Sequence, residues 1–483
     1  MVEVRNIYLS ANVMQNTPVK STVEVVNLYN TPWVNNSMSY VYEETVNDET
    51  HHHYSGAFAN CTNLKTVTGI NGDVVNIGNA FQNCTSMTDA PDFSSIHSGF
   101  GDNAIIMTGV FSECHNLVNT PDMGHMFIAS SMSGAFYNCS NLVHVNKLPS
   151  GVFDMSVAFS NCQKLETFEE FPYITISGIP VTYSETFFNC RSLVNAPVIP
   201  NGTVNMSATY FNCVNLVNIP PLPNTVVDLS YAFQYDANII NSPDMTNCES
   251  LVNMCQTFAG CSSLVNAPII PNSVTDLYSS FIGCAKIINS PIIPNSVTNM
   301  SSTFRQCSSL VNAPEIPNSV TNMESSFSTC LNLINSPDFS NATNVTSLAG
   351  AFQHCFNLKN VLNLSNATNL TNLYGTFWNC TSLENNFEIP VNVTDMSQTF
   401  INCYNLAGDI IIRSEKVSSI SAAFFFLDSS MNVITTGYPM RNVYIPFQNN
   451  GVNTTTYNTC TSYGYSSTTR TFDGVQLFDL NSL

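Results

Sequence analysis

Apolar residues recur along most of the chain at fixed spacing, with polar residues between them. Residues 295–317 read NSVTNMSSTFRQCSSLVNAPEIP, and residues 318–340 repeat the pattern as NSVTNMESSFSTCLNLINSPDFS. In the first copy the apolar set consists of Val297, Met300, Phe304, Cys307 and Leu310. Steps of 3, 4, 3 and 3 residues place these side chains on one face of a short helix or of a chain of tight turns.

The same pattern occurs sixteen times, and an aromatic residue marks each copy. In fourteen copies, within residues 58–403, a cysteine follows the aromatic residue after three positions. Two further copies, at Phe233 and Phe424, keep the aromatic residue without the cysteine. Successive aromatic residues are 23 to 30 positions apart, and self-similarity at such a period indicates a solenoid.

Each copy is predicted to contain a short strand at the start of LVNAPEIP, a Pro-Asn turn and a short helical segment. One copy cannot bury its apolar face alone, but stacked copies bury it in continuous columns. The fold class is therefore a leucine-rich-repeat-like α/β solenoid of about 16 units of 23–30 residues, with small β-rich flanking caps. The predicted columns include Phe258, Cys261, Phe281, Cys284, Met300, Phe304, Cys307, Leu310, Met323, Phe327, Cys330 and Leu333.

The string SVTNMSSTFRQCSSLVNAPEIP resembles the BspA-type leucine-rich repeat. In that repeat a Val-Thr-x-Met segment, a Phe, a Cys and a Leu recur at this spacing before an Ile-Pro. The resemblance covers about residues 54–428. It implies a surface molecule of the kind found in bacteria, mycoplasmas and some protists, with a role in adhesion and host-protein binding. Similar arrays also occur in phage-encoded proteins.

The flanking segments lack the repeat and divide the chain into three predicted regions. Residues 1–53 alternate apolar and polar residues, which predicts a β-rich cap or attachment module. Residues 54–428 form the solenoid, and residues 429–483 form a C-terminal capping segment that hides the open end of the core. Under an alternative interpretation, one flank docks the array on a larger assembly.

Charge and hydropathy exclude two classes of partner. The chain has 33 acidic and 13 basic side chains, a net charge of −20, and no basic cluster, so nucleic acid is not an expected partner. No apolar run approaches the length of a membrane span, so membrane insertion is not expected. The N-terminus lacks the basic start and apolar stretch of a secretory signal, so we expect export by another route such as lysis, or a signal that was removed before this numbering begins.

No catalytic, cofactor or metal site is predicted. Each column cysteine comes from a separate turn, without the close Cys-x-x-Cys pairs of zinc sites, and free thiols are favoured over disulfides. Cys114 precedes His115, but its position is that of a column cysteine rather than a nucleophile. The three histidines of residues 51–53 are expected in a solvated linker.

Because no catalytic, cofactor or metal site is predicted, we expect the protein to act by binding a partner through its surface. The favoured hypothesis is a non-enzymatic recognition or adhesion protein on a virion or extracellular surface. It would present its solenoid to a host-surface protein or glycan, and residues 1–53 would contact other virion proteins. The alternatives are a structural decoration or spacer protein, and a secreted bacterial or protist adhesin. The candidate binding face consists of Asn195, Asn218, Asn266, Asn289, Asn312 and Asn335, although turn formation or internal pairing could also explain these asparagines.

Overall fold

The chain divides into two compact units, Met1–Ile239 and Ile240–Leu483, which we call the N-terminal and the C-terminal unit. The computed structural model describes residues 7–9, 25–28, 39–46, 49–68, 70, 72–73, 76–97, 105–126, 129–168, 170–171, 179–427, 442–449, 452–462, 471–472 and 475–482. The three-region division predicted above has different boundaries and stays a prediction.

Most strands are only two to four residues long. The N-terminal unit contains β1 (Ile7–Leu9), β2 (Val25–Leu28), β3 (Ser39–Val46), β4 (Glu49–Gly56), β5 (Thr66–Thr68), β6 (Gly72–Asp73), β7 (Ile96–His97), β8 (Ile105–Ile106), β9 (Ala129–Ser131), β10 (Val181–Thr182) and β11 (Thr203–Asn205). The C-terminal unit contains β12 (Asn335–Asp338), β13 (Asn360–Leu362), β14 (Phe387–Ile389), β15 (Ile410–Ile412), β16 (Asn442–Ile445), β17 (Gln448–Asn449), β18 (Val452–Asn453), β19 (Thr471–Phe472) and β20 (Val475–Asp479). It also contains helix α1 (Thr455–Ser462) and the 3-10 helices Leu364–Asn366 and Leu480–Ser482.

Neighbouring repeats, which we call coils, pair in parallel, as expected when each coil returns the chain in the same direction. Strand pairs such as β10–β11, β12–β13 and β14–β15 are parallel. Isolated parallel bridges continue the pairing at two places in a coil, for example between Asn289 and Asn312 and between Asn299 and Asn322. This stacking of coils confirms the predicted repeat solenoid within each unit.

Turns take the place of the predicted helical segment. Between Met300 and Leu310 the backbone forms consecutive turns, and Ser302 (φ 56°) and Gln306 (φ 63°) have left-handed angles. An α-helix requires φ near −63° at every residue. The segment is therefore a chain of tight turns, which was the other geometry compatible with the apolar spacing.

The left-handed conformation costs a non-glycine residue roughly 1–2 kcal/mol. Hydrogen bonds to the next coil compensate for this cost. The Ser302 N–H donates to Glu324 O at 2.8 Å, and the Gln306 N–H donates to Ser328 O at 2.8 Å. In between, the Arg305 N–H donates locally to Ser302 O at 3.1 Å. Backbone donors thus alternate between the coil itself and its neighbour, which ties each turn to the stack.

Buried columns of matched side chains form the core of each unit. The twelve predicted column residues are fully buried. In the N-terminal unit, ring centroids of successive aromatic residues from Phe58 to Phe233 are 5.1 to 5.8 Å apart. In the C-terminal unit, the same distances from Phe258 to Phe424 are 5.5 to 5.9 Å. Offset stacking at such distances adds to the free energy gained by burial.

A second column, of hydroxyl groups, was not predicted. The residue before the aromatic is a buried Ser or Thr in many coils, such as Thr303 and Ser326. The Thr303 hydroxyl donates to Leu277 O at 2.9 Å, and the Ser326 hydroxyl is 2.8 Å from Met300 O. These bonds satisfy carbonyl groups of the preceding coil inside the core.

The fourteen column cysteines are thiols rather than disulfides, and they lie buried inside the stack. The Cys307 thiol donates to Phe281 O at 3.1 Å, and the Cys330 thiol donates to Phe304 O at 3.1 Å. Burial raises the pKa of the Cys307 thiol to about 12. Because the thiolate is the reactive form, these cysteines are protected from alkylation.

We therefore expect iodoacetamide to modify Cys255 first in the folded chain, because Cys255 is the partly exposed cysteine. The column cysteines should react only after the chain is unfolded in urea. Peptide mass spectrometry over a time course measures the rates at which Cys255 and the column cysteines are modified. Modification of Cys307 as fast as that of Cys255 under native conditions would show that the column is open to solvent.

Described flanking strands continue the stack of each unit. In the N-terminal unit, β1 pairs in parallel with β2, and β2 pairs in parallel with β5 of the first coil. In the C-terminal unit, β16 and β20 extend the parallel sheet of β14 and β15, and β19 pairs antiparallel with β20. The histidines of residues 51–53 lie in β4, which pairs with β3. The expected linker at this place is therefore a strand of a hairpin.

Helix α1 packs against the last coils through hydroxyl groups. The Thr456 hydroxyl donates to Ser414 O at 2.6 Å and accepts from the Val417 N–H at 3.1 Å. The Thr459 hydroxyl donates to Val417 O at 2.8 Å. These contacts satisfy backbone groups that would otherwise lack a partner at the end of the stack, as a cap must do.

Candidate interaction surface

The six predicted binding-face asparagines are all exposed, and the structure pairs several of them. The Asn218 amide donates to Asn195 Oδ1 at 2.6 Å, and the Asn312 amide donates to Asn289 Oδ1 at 2.8 Å. Two others pair with asparagines that the prediction did not include: Asn266 donates to Asn241 and Asn335 accepts from Asn360. Part of the hydrogen-bonding capacity of this face therefore holds coils together.

Aliphatic side chains are exposed beside these asparagines. Val194 and Ile288 directly precede Asn195 and Asn289 and are 42% and 50% exposed. Each exposed pair follows a buried column residue, Leu193 or Ile287, so two adjacent side chains of the coil face solvent at this place.

The most exposed aliphatic residues lie directly after a proline of their coil. Ile269 is 71% exposed and Ile292 is 88% exposed, whereas the next residues, Ile270 and Ile293, are buried. We call the residues at this position of the C-terminal unit the ridge; it consists of Asp244, Ile269, Ile292, Glu315 and Asp338, all exposed. The sequence analysis did not identify the ridge.

Two open grooves flank the ridge isoleucines. One has a volume of about 820 Å³ and includes Ile292, Glu315 and Asp338 in its lining. The other has a volume of about 830 Å³ and includes Ile269, Ile292 and Glu249. The described residues that line the two grooves include no Lys, Arg or His. The grooves therefore combine aliphatic side chains with negative charge.

Hydrogen bonds fix the two carboxylates at the ends of the ridge. Asp338 accepts from the Asn363 amide at 2.7 Å and from the Ser340 hydroxyl at 2.6 Å, and these bonds lower its pKa. Asp244 accepts from the Thr246 backbone N–H at 2.9 Å and hydroxyl at 2.8 Å, and its pKa is also lowered. Both side chains are therefore ionised at neutral and mildly acidic pH.

Residues elsewhere that could act as nucleophiles or metal ligands make structural contacts instead. Burial raises the pKa of the Cys114 thiol to about 12, so this thiol is not an activated nucleophile. The neighbouring His115 ring contacts Asn138 O through Nδ1 at 2.9 Å. Among the residues that the structure describes, no group of three or more His, Cys, Asp or Glu side chains is placed to hold a metal ion.

Two family models match the chain. The family described as "BspA type Leucine rich repeat region (6 copies)" matches residues 38–119 and 106–240. Residues 38–240 are therefore BspA-type leucine-rich repeats. A second family, described as "Mycoplasma protein of unknown function, DUF285", matches residues 205–316 and 298–413. A comparison with curated proteins finds no match.

Solved structures similar to this chain include bacterial leucine-rich repeat proteins. A protein from Bacteroides ovatus is 17% identical, with a TM-score of 0.48, over 94% of this chain and 91% of its own. A leucine-rich cell surface protein from Faecalibacterium prausnitzii is 19% identical, with a TM-score of 0.31, over 72% and 79%. A protein from Eubacterium ventriosum is 16% identical, with a TM-score of 0.32, over 92% of each chain.

Within the part of the chain that the structure describes, no helix has the length and apolar character of a membrane span.

Proposed function

We propose that this protein is a non-enzymatic recognition or adhesion protein that presents the outer surface of its coils to a protein or glycan on a host cell. One observation carries the proposal: Ile292 is 88% exposed at a position where neighbouring coils have Glu315 and Asp338. The buried columns repeat from coil to coil, whereas the exposed residue after the proline changes. Fixed cores with variable exposed positions are typical of solenoids that bind through their surface.

The exposed aliphatic residues favour a protein partner over a glycan, because apolar surface gains most from burial against other apolar groups. The test is saturable binding of the labelled full-length chain to arrayed purified cell-surface proteins and, in parallel, to arrayed glycans. We expect protein spots to bind and glycan spots not to bind. Binding to neither would contradict the recognition role.

A structural decoration or spacer protein is the second candidate, and the paired asparagines favour it. Contacts such as Asn218 to Asn195 and Asn312 to Asn289 use exposed amides to stiffen the stack. Crosslinking mass spectrometry of the full chain on its native particle or cell distinguishes the two roles. Crosslinks to partners from residues 1–53 alone would favour the spacer, and crosslinks from the coils would favour recognition.

The location proposed first is a phage virion, as a tail or capsid appendage, and the second is the surface of a bacterium or protist. The recognition role does not depend on this choice. Gene neighbourhood decides between the two locations: capsid, portal or tail genes beside the coding sequence would support the virion. Neighbouring genes for export or for other surface proteins would support the cell surface.

A further inference from the structure

We propose that the ridge isoleucines, Ile269 and Ile292, and the two grooves beside them form a docking site for a protein segment whose apolar side chains are flanked by Lys or Arg. This inference rests on the proposed recognition role and specifies the surface and the partner chemistry.

The fold does not require isoleucine at the ridge. Glu315 and Asp338 occupy the same position in the next coils and are equally compatible with the stack. In every one of these coils the following residue, such as Ile293 or Ile316, is the one that is buried. Two adjacent coils therefore present large aliphatic side chains to solvent although neighbouring coils show that a charged residue is tolerated. Exposed apolar groups of this kind mark interaction sites.

The shape of the site suits side-chain recognition. Both grooves include Ile292, Ser290 and Pro291 in their lining, so Ile292 stands between two adjoining depressions. Prolines border the isoleucine on both sides, at Pro291 and Pro294. Proline has no backbone N–H and a fixed φ angle, which disfavours pairing with an added strand and keeps the groove walls rigid. A partner would then bind by inserting apolar side chains on either side of Ile292.

The charge of the site selects a basic partner. Glu249, Glu315 and Asp338 line the grooves, and Asp244 lies at the far end of the ridge. The described lining contains no cationic side chain to neutralise them. Carboxylates around an apolar centre attract Lys and Arg and repel phosphate or anionic lipid. A second copy of this chain would bring its own acidic ridge, so like charges also disfavour self-association at this surface.

The test uses the full-length chain and a displayed library of random peptides as the probe. We expect the enriched peptides to carry apolar residues together with Lys or Arg. Their affinity, measured by fluorescence polarisation, should fall by about tenfold or more with Ile292→Glu and with Ile269→Glu. It should also fall with Glu315→Gln and at high salt, because charge attraction between exposed groups is screened.

Two controls separate docking from folding. Val198 occupies the equivalent position in the N-terminal unit and is 65% exposed, so Val198→Glu should leave peptide affinity unchanged. The variant Ile292→Glu should melt at the wild-type temperature, because Glu315 is accommodated at the same position one coil later. A lower melting temperature for Ile292→Glu alone would mean that the isoleucine stabilises the fold, and would overturn the proposal.

Three other outcomes would also overturn it: no enriched peptide, enriched peptides without basic residues, or equal affinity for the wild type and Ile292→Glu. Failure here is distinguishable from failure of the recognition role. If Ile292→Glu still binds the arrayed surface proteins as the wild type does, the docking site is wrong and the recognition role stands. If the wild type selects basic apolar peptides but binds no surface protein, the docking site stands and the recognition role fails.

Discussion

Replacing Phe304 by Ala is expected to lower the free energy of unfolding of the C-terminal unit by about 3–5 kcal/mol. The ring is fully buried, and its centroid lies 5.6 Å from that of Phe281 and 5.5 Å from that of Phe327. Truncation removes the buried ring and both stacking contacts at once, and the neighbouring coils cannot close the cavity without breaking the bonds between them.

The measurement is urea denaturation of the full chain, combined with native-state hydrogen exchange, because a solenoid can open locally. Exchange should accelerate most in the coils on either side of residue 304. The matched control is Phe356→Ala in the same unit. Because Phe356 is 43% exposed, its truncation should lower the free energy of unfolding far less. Equal effects of the two substitutions would show that the aromatic column does not carry the stability.

Replacing Asp236 by Cys is expected to raise stability by about 2 kcal/mol or more at neutral pH. Asp236 is fully buried at the position that other coils fill with a column cysteine. Both of its carboxylate oxygens are buried without a hydrogen-bond partner. A thiol at the equivalent place in the preceding coil, that of Cys213, donates to Phe187 O at 3.0 Å. The substitution therefore removes an unsatisfied acid and restores the column.

The effect of Asp236→Cys should depend on pH. Burial raises the pKa of Asp236 well above its ordinary value of 3.8. The folded chain thus binds a proton more tightly than the unfolded chain, and this group favours folding fully only below about pH 4. As pH rises towards the folded pKa, the wild type loses that contribution and the Cys variant does not.

The stability difference between Asp236→Cys and the wild type should therefore grow from acidic to neutral pH. Urea denaturation at a series of pH values measures it. As a control, Glu166→Gln changes an exposed carboxylate of the same unit and should change the free energy of unfolding by less than about 0.5 kcal/mol at neutral pH. A constant difference for Asp236→Cys would mean that the carboxyl group is solvated.

The buried columns could be predicted from the sequence because apolar spacing reports directly on which side chains face inward. Met300, Phe304, Cys307 and Leu310 are fully buried, as that spacing indicates. The same spacing could not decide between a short helix and a chain of tight turns, because both geometries place these residues on one face. Some left-handed positions of the turns are Gly or Asn, such as Gly109 and Asn138, but others are residues as different as Ser302 and Val157, so no single residue type marks them in every coil. What stabilises them is a set of hydrogen bonds to the next coil, which a single copy does not contain.

The ridge was missed for a related reason. In the pairs Ile269–Ile270 and Ile292–Ile293, two identical side chains are adjacent, and composition alone does not say which one faces solvent. Comparison with the next coil would have identified it, because Glu315 precedes Ile316 in the same motif and a glutamate cannot be the buried member. The asparagine pairs likewise required the register between coils, which places equivalent side chains side by side.

The shared pattern of residues 295–317 and 318–340 has a consequence for how such a chain can evolve. Because each coil offers its neighbours the same inner side chains and the same backbone donors, one copy can be duplicated or lost by recombination between the repeats without redesign of the interior. Selection can then act on the number of coils and on their outward residues separately. A lineage could lengthen its reach or change its target while the chain keeps folding.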